Sequence, residues 1–397
     1  MKKIALICAK PFENNPGMLS VDLAFDKIRN MISVPISLSR FCLRGSPPIE
    51  LDKQGVELSY KNIEDNFDEI LNSDLILFWG DFSHSIQYYL NDILPDLQTS
   101  HPTSKPITLL RSIFNYLLLN NAPKKCLNKS ISFGTSLVGV DHSLLCNFPL
   151  YAKSLTRFIH LSHATFFRDS YSSNLASLIT SFSNLDHVGM DCSLLLNKND
   201  YLKFSNIKSV HHTHKKCFIY FNRTKGFDLE VQSFTQRLCH QLKVEFEWLP
   251  WLECRPENLY SLRKRFSSLN LPDYNLPYGS LISKLLSASY VITDTYHLSL
   301  ISRRLGIPTL CFGSGAQDPT QTTSDKKKEY VHQMYGCGNL YLFVEMLKDP
   351  LSFKSALTRS SNLLTNQELT SKITTSIDHH SKRTEARLVK KIEEVLS

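Results

Sequence analysis

Residues 290–313 read YVITDTYHLSLISRRLGIPTLCFG. The run YVI is short, apolar and of aromatic and β-branched type, which predicts a buried strand over 290–292. HLSLISRR places its apolar residues at helical spacing over 297–304. Gly306 and Pro308 then turn the chain into TLCF, a second buried strand over 309–312. A strand, a short helix and another strand in this order form a βαβ unit, whose two strands run parallel.

The same alternation extends outward in both directions. Short apolar runs predict strands over 3–8, 75–79, 131–133, 164–167, 187–190, 217–221 and 244–248. Helical spacing predicts helices over 21–32, 172–181, 230–242 and 280–286. A polar stretch over 197–216, rich in Asn, Lys, Ser and His, separates the two rounds. The expected class is α/β with parallel sheets. The expected units are an N-terminal domain over 1–205, a C-terminal domain over 206–350 and a helical segment over 351–397 that packs back on the body. In that segment Leu388, Ile392, Val395 and Leu396 share one face of a helix over 385–396.

Composition supports two domains and excludes several classes. The chain has 397 residues, against a usual ~150 per domain. Apolar residues make up 42%, charged 21% and aromatic 11%, which excludes a disordered or fibrous chain. The 14 glycines are about half the usual level of roughly 7%, which argues against several glycine-lined phosphate loops. A net charge of +8 suits an anionic ligand and is too small to announce a nucleic-acid binder. The ten cysteines contain no C-x-x-C pair, which speaks against a zinc ribbon or a thioredoxin-like site. Cys8 and Cys311 lie in apolar runs and read as small buried hydrophobes in a reducing compartment. No apolar run approaches the ~20 residues of a membrane-spanning helix. The start, MKKIALICAKPFENN, reads as a first strand rather than a leader, because Lys10 and Glu13 follow a short apolar run. The expectation is a cytoplasmic protein with at most peripheral membrane association.

Ligands of open α/β sheets sit beyond the carboxyl ends of the strands, so residues there are the candidates. Asp294 and Thr295 follow one expected strand, and His297 opens the helix after it. A helix start favours anions, and a histidine there can serve as acid or base, or simply pack the helix start. Arg223 follows the strand over 217–221 and is a candidate cleft cation. Lys326, Lys327 and Lys328 form a run that reads as a solvated face, with Lys326 the candidate to reach an anion. The polar loop GSGAQDPTQTT over 313–323 is a candidate lid. His211, His212 and His214 lack accompanying Cys or carboxylate ligands and read as loop histidines, so no metal is expected. No G-x-S-x-G, H-E-x-x-H or P-loop pattern occurs.

TDTYH, followed by an apolar helix and LGIPTL, resembles the signature of the polysaccharide pyruvyl transferases, in which an S/T-D-x-[FYL]-H-G element precedes a helix and a G-x-P strand. Further segments resemble the family in order. FFRDSYSSNLASL matches its R-D-x-x-S element with Arg168, Asp169 and Ser172. HVGMDCSLLL matches the short strand ending in an aspartate, here Asp191. ENNPGMLSVDLAF holds Gly17 at the place of the first loop, and SDLILFWGDF holds Trp79-Gly80-Asp81 where the family has glycines. The chain departs from the pattern at Thr295, where many members have arginine and a large branch has serine. It also departs at Leu298, where glycine follows the histidine, and at Met18, where aspartate is common.

The resemblance implies two Rossmann-like domains facing across a cleft, GT-B-like, with the acceptor on the N-terminal side and the donor on the C-terminal side. It implies transfer of a pyruvyl group from phosphoenolpyruvate onto a sugar as a ketal, with phosphoenolpyruvate as co-substrate and no cofactor. Such chemistry needs cations for the donor, an acid for the enol carbon and a base for an acceptor hydroxyl. His297 is then the acid or base, and Asp294 orients it or caps its helix. Arg168, Arg223, Thr295 and Lys326 fall on the donor side, although Arg168 could instead form a surface ion pair with Asp169 or a neighbour. Gly17, Asp81 and Asp191 fall in the cleft or on the acceptor side. The implied partners are an anionic small-molecule donor and a sugar or oligosaccharide acceptor, and no nucleic acid. Two alternatives stand beside this: a GT-B glycosyltransferase with a nucleotide-sugar donor, and a non-catalytic glycan-binding protein.

Overall fold

The structure is a computed structural model and describes residues 1–9, 15–43, 46–50, 57–180, 188–205, 215–224, 226–252, 256–267, 269, 271, 276–315 and 323–397. Seven strands form the first sheet: β1 (Lys2–Cys8), β2 (Ile36–Cys42), β3 (Ser46–Glu50), β4 (Glu57–Asn62), β5 (Leu75–Trp79), β6 (Ser130–Thr135) and β7 (Ala164–Phe167). Their order is β3-β4-β2-β1-β5-β6-β7. Five strands form the second: β8 (Lys216–Tyr220), β9 (Glu245–Trp248), β10 (Tyr290–Thr293), β11 (Thr309–Gly313) and β12 (Tyr341–Phe343), in the order β12-β11-β10-β8-β9.

Both sheets are parallel and carry helices, as the alternating pattern requires, with one exception. The β3–β4 pair is antiparallel and forms a hairpin on the edge of the first sheet. The sequence Ser46-Pro47-Pro48 reads against a strand, but an edge position tolerates proline because its N–H side needs no partner. The strands β2, β4 and β12 also escape the sequence pattern. ISLSRFC in β2 is only half buried, and β12 is three residues long. The central strands were the legible ones because parallel sheets covered on both faces demand continuous apolar runs. All five residues of β5 are buried, as are all five of β11. Of the strand expected over 187–190, only Val188 pairs, in a single bridge to Phe167, and His187 lies outside the described residues.

The strand order places the site. In each sheet the first strand of the half lies inside the sheet, β1 between β2 and β5 and β8 between β9 and β10, with connections departing to both sides. This creates a switch point between β1 and β5 in the first sheet and between β8 and β10 in the second. Register aligns the strand ends: Cys8 pairs with Trp79, and Tyr220 with Thr293. The residues after these strands therefore emerge side by side in each half.

The C-terminal segment is two helices, Pro350–Thr365 and Gln367–Leu396. The last is 30 residues long, far beyond the segment that the apolar spacing picked out. Ile373, Ile377, Leu388, Ile392 and Leu396 form its buried face. It touches both halves. Glu385 pairs with Lys27 at 2.5 Å, Glu394 with His163 at 3.0 Å, and Asp378 with Arg304. No helix among the described residues is long and apolar enough to cross a membrane.

Candidate active site between the two halves

The helix Tyr296–Arg304 starts directly after β10. Its N-cap is Thr295, whose side chain makes no capping bond. Asp294 does not cap that helix either, nor does it face His297. Its buried carboxylate turns to the loop after β8, where it accepts from the backbone N–H of Asn222 (3.0 Å), Arg223 (2.5 Å) and Thr224 (2.9 Å). Asp294 is thus an anchor: it satisfies three backbone donors that would otherwise be buried or unmet, and it ties the end of β10 to the end of β8. Both expected roles for Asp294 give way to this one, because a carboxylate meets a cluster of N–H groups better than a single helix end.

His297 points into the gap between the halves, its side chain 18% exposed. Its Nε2 is 3.7 Å from Asp191 Oδ2. On its other side lies Gly17, the second residue of the helix Pro16–Arg29 in the first half. A Cβ added to Gly17 would stand 2.5–2.6 Å from Cβ, Cγ and Nδ1 of His297, so the bare Cα is what lets the two halves meet here. Burial lowers the imidazole's pKa, and Asp191 and then Asp81 oppose it without reversing the direction. Neutral imidazole is therefore the favoured form at pH 7.

Asp191 is fixed in place. Its Oδ1 accepts from the backbone N–H of Ser193 (3.0 Å) and from the Ser193 hydroxyl (2.6 Å). That leaves Oδ2 to face His297 and the Arg168 guanidinium, whose Nη1 lies 3.4 Å away. Arg168 follows β7 and is 1% exposed. It stacks on the Tyr296 ring at 4.7 Å, and its Nη1 also reaches Asp81 at 3.1 Å. Among the described residues its Nε and Nη2 have no hydrogen-bond partner, and neither has the buried Tyr296 hydroxyl. Arg168 does pair with carboxylates, but these are Asp81 and Asp191 rather than Asp169, and it is buried rather than on the surface. Asp169 instead accepts from Ser172, at 2.7 Å from N and 3.0 Å from Oγ, and so holds the start of the helix Ser170–Thr180.

Asp81 comes from the turn after β5. Gly80 makes that turn with φ 105, a conformation open to glycine and strained for other residues. Trp79, where the family pattern has a glycine, is core: it is fully buried, stacks on Phe133 and donates to the Val21 carbonyl. Lys327 Nζ lies 2.8 Å from Asp81 Oδ2. Burial pushes the Asp81 carboxyl up, but Lys327 and then Arg168 overcome it and hold the group well below the usual carboxylate range.

Lys327 was not the lysine singled out by sequence. The run of three lies on the helix Thr323–Met334, where successive residues point about 100° apart. Lys326 is exposed. Lys328 is fully buried and donates to the carbonyls of Asp294 (2.9 Å) and Phe312 (2.8 Å). Lys327 faces the first half, and three residues on Tyr330 stacks on Tyr171 at 4.7 Å. Helical spacing carried that signal: one of three consecutive residues had to turn toward the cleft. Thr295 is half buried; its N–H donates to the Thr293 hydroxyl, its own hydroxyl donates to Asp294, and its carbonyl accepts from the Ser299 N–H inside the helix. Arg223 is exposed, and its charge is felt by Asp92 across the gap.

The structure thus brings together His297, Arg168, Asp191, Asp81 and Gly17, adds Lys327 and Tyr296, and leaves Asp294, Thr295, Arg223 and Lys326 around the rim or behind it. Among the described residues no group of three or more His, Cys, Asp or Glu is placed to hold a metal ion. His211, His212 and His214 lie outside the described residues, as do 316–322 of the expected lid. An orienting carboxylate, a neutral imidazole and a buried guanidinium with free donors can activate a hydroxyl beside a bound anion.

Comparison with known proteins bears on the family and the fold. A family model described as polysaccharide pyruvyl transferase matches residues 51–315. No curated protein matches the chain. Solved structures share the fold at low identity. A protein assigned as a UDP-N-acetylglucosamine 2-epimerase of Listeria monocytogenes is 13% identical with a TM-score of 0.52, over 99% of this chain and 97% of that one. The UDP-GlcNAc 2-epimerase of Methanocaldococcus jannaschii is 10% identical, also with a TM-score of 0.52, over 95% of this chain and 99% of that one. These likenesses establish the two-domain GT-B-like architecture.

Proposed function

The chain belongs to the polysaccharide pyruvyl transferase family, and from that premise we propose that it transfers a pyruvyl group from phosphoenolpyruvate to a sugar of a cell-surface glycan or its precursor, in the cytoplasm. The observation that supports this most is the meeting of Arg168, Asp191 and Asp81 from one half with His297 and Lys327 from the other. In this reading Arg168 and Lys327 hold the donor's anionic groups, and His297, oriented by Asp191, takes the proton of an acceptor hydroxyl. In the reaction the C–O bond to phosphate breaks and two C–O bonds to the sugar form. One hydroxyl proton ends on the new methyl carbon and the other leaves with phosphate. The lowered pKa of His297 suits the base better than the acid at neutral pH.

A second reading has an observation of its own. The two cleft cations already face two carboxylates, and Thr295 adds no charge. A site so balanced would also accept a less charged donor, such as a nucleotide-sugar; the two fold neighbours are named for UDP-N-acetylglucosamine. A thermal-shift panel separates the readings. A rise with phosphoenolpyruvate supports pyruvyl transfer, and a rise with UDP- or CMP-sugars alone supports glycosyl transfer.

A further inference from the structure

One carboxylate oxygen in the cleft is gripped by both cations at once. Asp81 Oδ2 lies 2.8 Å from Lys327 Nζ and 3.1 Å from Arg168 Nη1. The cations come from opposite halves, so this oxygen sits on the seam. The Asp81 side chain is 29% exposed, against 15% for Lys327 and 2% for Arg168. It is the member of the trio that a ligand can reach and solvent can receive.

The two carboxylates of the cluster are held differently. Asp191 is pinned through its other oxygen by Ser193. Asp81 has, among the described residues, no hydrogen-bond partner beyond the two cations. Asp191 is a fixture, whereas Asp81 is free to swing out. Meanwhile, among the described residues, Arg168 keeps Nε and Nη2 without hydrogen-bond partners although it is 1% exposed. Buried donors are nearly always met, so these point to an acceptor that arrives with a ligand. Charge leads the same way. Arg168 and Lys327 against Asp81 and Asp191 sum to zero, which gives an anion little attraction. With Asp81 turned away the site becomes cationic.

We propose that Asp81 is a placeholder: its carboxylate occupies, in the unliganded protein, the seat of an anionic donor oxygen between Lys327 and Arg168, and binding displaces it. This rests on the reading of the cleft as the donor site, and it makes Lys327 the second donor-binding cation. The shared chemistry is a phosphate or carboxylate oxygen.

The test titrates the full chain with inorganic phosphate by calorimetry. Asp81→Asn should bind phosphate about tenfold more tightly than wild type, and Lys327→Ala about tenfold more weakly. Asp92→Asn removes a nearby exposed carboxylate that also feels Lys327, and it should change little. Lys372→Ala, on the exposed face of the last helix, should change nothing. Weaker or unchanged binding in Asp81→Asn overturns the proposal, as does equal tightening in Asp92→Asn or unchanged binding in Lys327→Ala. Pyruvate, titrated against the same variants, assigns the seat: phosphate alone marks a phosphate seat, pyruvate alone marks a carboxylate seat, with the variants then read by pyruvate, and binding of neither overturns the proposal. Should Asp81→Asn not fold, a structure of wild type with phosphate decides. Asp81 is then expected beyond hydrogen-bond distance of Lys327, and an unbroken pair beside a phosphate bound elsewhere contradicts the proposal. Phosphate binding needs neither acceptor nor turnover, so it can succeed where pyruvyl transfer fails. Transfer without tightening in Asp81→Asn defeats the placeholder alone.

Discussion

His297 Nε2 stands 3.7 Å from Asp191 Oδ2, and the two residues come from opposite halves of the molecule. The imidazole is therefore oriented only when the halves are together. Asp191 also resists the burial that lowers the His297 pKa. Asp191→Asn keeps the shape and removes the charge. We expect kcat to fall about tenfold or more and the acid limb of the kcat/KM profile to move to lower pH. A pH–rate profile checks both, and a limb displaced upward would contradict the assigned relation.

Gly17 and His297 make the second seam contact. Gly17→Ala puts a methyl group 2.5–2.6 Å from three ring and stem atoms of His297, so the imidazole must shift. Misplacement of a reacting group by about 1 Å can cost on the order of a hundredfold in rate. The expected outcome is a loss of kcat with a nearly unchanged melting temperature, because the helix gains from alanine what the contact loses. An unfolded or equally active variant would show that the contact does not position His297.

Asp294 carries a different expectation. Its carboxylate serves three backbone N–H groups and the Thr224 hydroxyl. Asp294→Ala strands those donors and should cost about 3 kcal/mol or more of stability, read by urea unfolding. Asp294→Asn, which keeps one acceptor oxygen, should lose less. A stable, merely inactive Asp294→Ala would instead make this residue part of the chemistry.

The legible part of this protein follows from physical constraint. Strands β5, β8, β10 and β11 are buried on both faces and must be apolar, so they stand out in the sequence. Edge strands such as β3 and β12 carry no such demand and stayed hidden. In the site, Arg168, Asp191 and His297 were found because each follows a buried segment in an ordered motif. Lys327 was missed because a run of lysines hides the one that a helix turns inward. The anchoring role of Asp294 depends on backbone N–H groups some seventy residues earlier in the chain, and side-chain patterns carry no record of those.

Asp22 predicts a pH dependence of stability away from the cleft. It is 2% exposed and accepts from the Tyr60 hydroxyl at 2.5 Å. Burial pushes its carboxyl up to about 6, with Tyr60 and Arg40 pulling the other way. The folded state thus holds this proton more tightly than the unfolded chain does. Its favourable contribution is full below the unfolded value of about 3.9 and is lost as pH rises through about 6. Wild type should lose up to about 3 kcal/mol from this source between pH 4 and 7. Asp22→Asn should flatten that slope in urea-unfolding curves. An unchanged slope would mean that Asp22 titrates normally.

The central claim is that the seam between the halves transfers a pyruvyl group. Phosphate release from phosphoenolpyruvate in the presence of glycan acceptors tests it most directly. Wild type is expected to release phosphate in an acceptor-dependent way, and His297→Ala to lose that release by about a hundredfold or more. Release that survives His297→Ala, or none from wild type with any acceptor, would contradict it.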